Sequence, residues 1–222
     1  MTARSAGFSR PGRRTSVRRC CLALCILLCA ACTRPQAGAP GPVIHVVQED
    51  IHSGLLVPAD WLWPNATGVV EVSFGDARWM QAQDRSSWRA GRLVLWPSEG
   101  AFYLKRVGDD AAGAIRAERW RALAVPLSPT GAAQVQAELA RWMQPGPDLA
   151  SWTDGSVFRP ATSFHVFSSC HDQVAAALQA AGLPLSGSWL PWRSVDRFHA
   201  EVAGALIELD RRGIRYVEAM TE

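Results

Sequence analysis

The chain has 222 residues, 48% hydrophobic and 19% charged, with a formal net charge of +3. That length fits one domain with a sizeable core, and that composition excludes a disordered or collagen-like chain. The positive charge hints at an anionic partner and the six cysteines at disulfides, but both hints depend on where those residues lie.

At the N-terminus, Arg4, Arg10, Arg13, Arg14, Arg18 and Arg19 precede the apolar run Cys20–Ala31 with no acid among them. The run is twelve residues long, too short for a hydrocarbon core of ~30 Å. Residues 1–31 therefore read as a secretory signal peptide. Leu28-Cys29-Ala30-Ala31-Cys32 resembles the bacterial lipobox, with Cys29 where Leu is usual. That resemblance implies cleavage before Cys32 and its lipidation, palmitate included; at ~0.8 kcal/mol per buried CH₂ the acyl chains would hold the protein to a membrane. Thr33, where Asp would retain a lipoprotein at the inner membrane, implies the periplasmic face of the outer membrane. Arg13-Arg14 resembles a twin-arginine signal only weakly, because Thr15-Ser16-Val17 fits poorly. Loss of residues 1–31 removes six arginines and takes the charge from +3 to −3. Cys20, Cys21, Cys25 and Cys29 leave with them, Cys32 carries lipid, and Cys170 remains without an intramolecular partner. In an oxidising compartment a solitary thiol is either buried and inert or kept for its reactivity.

Residues 32–42 read as the lipidated cysteine and a Pro/Gly/Ala tether, and 43–222 as a single domain. Val43–Val47, Ser53–Val57, Val69–Phe74, Arg92–Trp96 and Ala122–Val125 are short apolar or alternating runs, expected as strands. Ser128-Pro129 opens a helix that carries Ala132, Val135, Leu139, Trp142 and Met143 on one face and ends at Pro145-Gly146-Pro147. Pro147–Ala161 is expected as a long loop and Phe164–Phe167 as an extended segment. A helix opens at Cys170, and a last one runs from Ser194 to about Arg212 and stops at Gly213. Ile214–Val217 reads as a closing strand. Strands followed by helices, without strict alternation, argue for α+β with an antiparallel sheet packed with helices.

The segment with the most chemistry is Phe167-Ser168-Ser169-Cys170-His171-Asp172. Ser169 is a natural N-cap, Asp172 can reach back to it, and Val174, Ala177, Leu178 and Ala181 give the helix its apolar face. Cys170 then occupies the first helical position, where unpaired N–H groups and the helix dipole favour a thiolate and could bind an oxyanion. A thiolate nucleophile needs a base, usually His, oriented by a third polar group. Of the five histidines, His45 and His165 read as structural. His171 is set about 100° round the helix from Cys170, and His199 falls on the solvated side of the last helix. His52, at the start of a strand, is the sharpest candidate base. A hairpin through Trp61–Gly68 would set Val69–Asp76 beside it and offer Glu71 or Asp76 as the orienting carboxylate; the residues leave that choice open.

His52-Ser53-Gly54-Leu55-Leu56-Val57-Pro58 resembles the H-T-G-I/L-V-L-P motif of domain of unknown function family 2459, the urease-region conserved hypothetical proteins. Glu71–Asp76 is similar to that family's E-x-G-W-G-D, and Trp79-Met80 falls where an aromatic pair is usual. Phe167–Asp172 resembles its F-N-T-C-N-T, and Ala177–Pro184 its A-L-R-A-A-G-L-P. Ser73, Phe74 and His171-Asp172 depart from the pattern, and the resemblance covers roughly Ile44 to Trp192. The order His, carboxylate, then Cys at a helix start also resembles circularly permuted papain-like proteins of the NlpC type and the lecithin retinol acyltransferase-like proteins. This implies a permuted papain-like architecture in which the Cys helix packs on a sheet carrying the His.

The leading expectation is a thiol hydrolase or acyltransferase with Cys170, His52 and Glu71 or Asp76 as site residues, acting on cell-wall peptides or acyl lipids. The alternative is a lipid-anchored binding or scaffolding module with a buried structural Cys170. Ten Trp, all beyond residue 32, could line a groove, although a core role is the simpler reading. A metal site on Cys170 and His171 lacks any CxxC or HExxH spacing. No cofactor and no nucleic-acid partner are expected, given the charge of −3 after processing. A monomer held to the membrane through Cys32 is.

Overall fold

The computed structural model describes residues 41–82, 96–143, 148–151, 155–158, 163–165, 168–186 and 194–217. The signal peptide, Cys32, most of the tether and Arg92–Leu95 lie outside the described residues.

The strands are β1 (Val43–Glu49), β2 (His52–Pro58), β3 (Val69–Asp76), β4 (Ser98–Gly108), β5 (Arg121–Pro126), β6 (Asp148–Ser151), β7 (Gly155–Phe158) and β8 (Ser163–Phe164). The helices are α1 (Ala77–Ala82), α2 (Ala111–Glu118), α3 (Pro129–Trp142), α4 (Cys170–Ala180) and α5 (Val195–Arg211). Among the described residues the sheet order is β5-β1-β2-β3-β4-β7-β6, with β8 paired to the start of β4. Every pairing between these strands is antiparallel. The class is therefore α+β, an antiparallel sheet packed with helices.

β2 is central, and its interior residues are buried. A strand covered on both faces needs a near-continuous apolar run, as Leu55-Leu56-Val57 provides. One face carries the main core, in which Ile44, Val46, Leu55, Val57, Val70, Val72 and Phe74 meet Val135, Leu139, Val174, Leu178, Phe198 and Val202 of α3, α4 and α5. The other carries a smaller cluster of Val47, Leu56, Ala114 and Trp120 beneath α2. Ring contacts brace the first: Phe102 stacks on Trp142 at 4.7 Å and meets Phe74 at 4.8 Å.

Just before β1 the Gly41 N–H donates to the Leu127 carbonyl at 3.0 Å. The connection expected over Pro147–Ala161 contains β6 and β7, which extend the sheet beyond β4. The closing strand reduces to Val217, a parallel bridge to Leu127. The caps are as read from the sequence: Ser128 Oγ accepts from the Gly131 N–H at 3.0 Å, and Gly213 (φ 74°) ends α5.

Candidate active site

The β1–β2 hairpin turns through Asp50 and Ile51, with Asp50 in the left-handed region at φ 47°. This tight connection sets Glu49 opposite His52 and fixes His52 as the first residue of β2, at the end of the sheet. The β2–β3 register places Gly54 against Ser73 and Leu56 against Glu71, so His52, Gly54, Glu71 and Ser73 share one face by alternation. α4 packs on the other face of β2 and β3, against Leu55, Val57, Val70 and Val72, and its first residue, Cys170, meets His52 and Ser53 at the start of β2.

Of the four residues singled out in the sequence, His52 is the one that meets both Cys170 and Glu71. His52 Nε2 lies 3.9 Å from Glu71 Oε1, an ion-pair separation rather than a hydrogen bond. Glu71 is buried, and Ser73 Oγ donates to its Oε1 at 2.6 Å. Burial pushes the Glu71 carboxyl up, while the Ser73 hydroxyl and the Lys105 ammonium oppose the rise. Gly54 makes room for this carboxylate: a Cβ there would stand 3.1 Å from Glu71 Oε1. Asp76 is buried too, but its Oδ1 accepts from the Trp79 N–H at 2.6 Å and opens α1. Its place in β3 puts it on the opposite face from Glu71 by alternation. Glu71 is thus the carboxylate beside His52.

Cys170 is the first residue of α4 and is 7% exposed. Asp172 accepts from the Ser169 N–H at 2.8 Å and from Ser169 Oγ at 2.7 Å, which secures the turn that carries the thiol. Burial pushes the Cys170 thiol up. The charge and hydrogen bonding of the His52 imidazole, with backbone hydrogen bonds from Ser53 and His171, outweigh burial and hold it below its ordinary value. The group is thus a buried thiol with an imidazole against it, and that imidazole also lies within ion-pair distance of a buried carboxyl.

His171 was set aside on helical geometry, yet its Nδ1 lies 3.5 Å from Cys170 Sγ. Helical divergence applies to Cβ directions, and two short side chains in a first turn can still meet through their γ and δ atoms. His199 was expected in solvent and is 5% exposed. Its ring faces β1, where burial lowers its pKa against an opposing backbone hydrogen bond at Val47. α5 packs on both β1 and β5, so the helix buries a wider stripe, His199 included, than its apolar residues mark. His45 is half-buried in β1 with its pKa lowered by burial, and His165 N–H donates to the Ser168 carbonyl at 3.2 Å. Of the described tryptophans, Trp120 and Trp142 are buried, while Trp63 and Trp96 are 39% and 67% exposed.

Comparison of the chain with protein-family models, with curated proteins and with solved structures returned no match. Among the described residues no helix is long and apolar enough to cross a membrane, and no group of three or more His, Cys, Asp and Glu could hold a metal ion.

Proposed function

We propose that this chain is a lipid-anchored envelope protein of the permuted papain-like type, allied to domain of unknown function family 2459, and that it is a thiol hydrolase or acyltransferase. One observation carries the reading. The His52 imidazole meets the buried Cys170 at the start of α4 and lies 3.9 Å from the buried Glu71 carboxyl, a Cys–His contact with a carboxyl beside the ring.

In the reaction the Cys170 sulfur attacks an amide or ester carbonyl, forming a C–S bond as the C–N or C–O bond breaks. His52 takes the thiol proton and passes it to the departing amine or alcohol. Glu71 orients the imidazole and favours its charged form. The Cys170 N–H, at the start of α4, supports the oxyanion. Water, or an alcohol or amine acceptor, then releases the acyl group, with His52 as base. Cell-wall peptides and acyl lipids are the substrate classes within reach of an anchor at Cys32 on the periplasmic side of the outer membrane.

Cys170→Ala should abolish both labelling by a thiol-directed electrophile and hydrolysis of peptidoglycan stem peptides or lipid esters. Equal labelling of wild type and variant would sink the reading. Metabolic palmitate labelling lost in Cys32→Ser tests the anchor separately. The burial of Cys170 favours a second reading, a non-catalytic binding module with an inert thiol. A thiol that titrates at or above ~8.5 would favour it.

A further inference from the structure

The sulfur of Cys170 has a second imidazole against it. His171 Nδ1 lies 3.5 Å from Sγ. The ring is 6% exposed and stacks on Phe198 of α5, centroids 5.7 Å apart and planes 25° from parallel. Phe198 is fully buried and meets the His199 ring at 6.2 Å. The ring is therefore clamped between the α4 N-terminus and α5, on a mount separate from the β1–β2 hairpin that carries His52.

A thiolate accepts hydrogen bonds and donates none, so the nitrogen facing it must carry a hydrogen whenever sulfur is charged. We propose that His171 is a positioning residue: its Nδ1–H holds the Cys170 thiolate from the α5 side, keeping the nucleophile ionised and aimed while His52 is left to carry the proton. A charge-assisted bond of this kind is stronger than a neutral one, and more so in a water-poor site. It is worth most while sulfur is charged and weakens when the thioester forms. It would therefore favour the state from which attack occurs.

The titratable and charged groups facing this pair come from each neighbouring element. Asp172 lies on α4 itself, and His52 comes from β2. α5 contributes His199, which meets the charge of His171; Asp196 and Arg121 act on His199 rather than on the pair, and Arg121 at the start of β5 donates to Asp196 Oδ1 at 2.8 Å. Gln48 of β1 donates to the same oxygen at 3.1 Å. Asp196 is therefore already engaged by two donors.

This inference rests on the thiol reading of the site but on no substrate. The test is the pH profile of Cys170 alkylation by iodoacetamide in the folded full chain. His171→Leu should move the profile up by about one pH unit, an about tenfold slower reaction at a fixed pH below both midpoints. His171→Asn sets an amide N–H at the position of Nδ1 and should recover most of the loss. Superimposed Leu and wild-type profiles, or an Asn variant that matches Leu, would overturn it. Should Leu unfold the chain, His171→Phe keeps the stack on Phe198 and takes its place. In the wild type, the ¹⁵N resonance of His171 Nδ1 should report a protonated nitrogen that shifts when Cys170 is alkylated; an unprotonated Nδ1 would also overturn it. A wild type that titrates low and depends on residue 171, yet cleaves no amide or ester, would end the enzymatic reading and leave this one standing.

Discussion

Gly54 lies beneath the Glu71 carboxylate, and an added methyl group would stand 3.1 Å from Oε1 and 3.2 Å from the Val72 carbonyl oxygen. The backbone oxygen cannot move away cheaply, so Gly54→Ala should push Glu71 off His52. The expected cost is about 1–3 kcal/mol in a urea titration, together with slower Cys170 alkylation. Ser73→Ala acts on the same carboxylate without crowding it. Ser73 opposes the rise that burial imposes on Glu71, so its loss should raise that carboxyl further and move the acid limb of thiol reactivity to higher pH. The sign for stability follows from the same shift. The folded carboxyl binds its proton more tightly than the unfolded one. Its contribution is complete below the ordinary 4.5 and is lost as pH rises through the folded value. Glu71→Gln should therefore gain on wild type in urea midpoint as pH rises above 4.5. Much of this was legible: the apolar flanks of Glu71 and Ser73 mark an inward-facing polar pair in a strand. The choice between Glu71 and Asp76 was not, because it depends on α1, a helix short enough to leave no periodic pattern.

The N-terminus of α4 is held by one carboxylate with two hydrogen bonds to Ser169. Asp172→Ala removes both and the charge that complements the helix dipole. It should cost about 1 kcal/mol, read as a lower melting temperature, and should loosen the turn carrying Cys170. The β1–β2 hairpin is the corresponding device for His52. Asp50 at φ 47° adopts a conformation that glycine takes freely and β-branched residues resist. Asp50→Gly should be neutral or slightly stabilising, whereas Asp50→Val should destabilise by about 1–2 kcal/mol and displace His52; circular dichroism melts and alkylation rates separate the two. Helix starts were readable because capping needs particular residues at fixed spacing, as at Ser128 and Ser169. β4 was missed although it is the longest strand: Ser98–Gly108 carries Glu99, Lys105 and Arg106 among its apolar residues, and it joins the sheet by pairing with β3 on one side and β7 on the other. α2 was missed because its apolar residues are mostly alanines, with the cap at Asp110 as its one clear signal.

At the scale of the whole molecule, the buried His199 and the half-buried His45 should make the fold acid-sensitive. Burial lowers both His45 and His199, so each contributes stability that is complete above about 6.5 and is lost as pH falls below that value. The urea midpoint should drop between pH 7.5 and pH 5, and His199→Gln should flatten part of the drop. A pH-independent midpoint would count against the burial of these rings. The sequence could not reveal this, because the burial of His199 depends on α5 meeting β1 and β5 across the chain. The hairpin turn, which gave His52 its place in the sheet, has one more consequence. His52 and Cys170 are far apart in the sequence, and the thiol is lowered only where the hairpin and the helix have docked. Contacts of such long range are slow to form. Beyond residue 32 the chain has no second thiol for Cys170 to mispair with, so export through an oxidising compartment, as proposed, would leave it an ordinary cysteine until folding finishes. On the proposed thiol reading the sulfur would act as a timer as well: its chemistry would switch on only with completion of the domain.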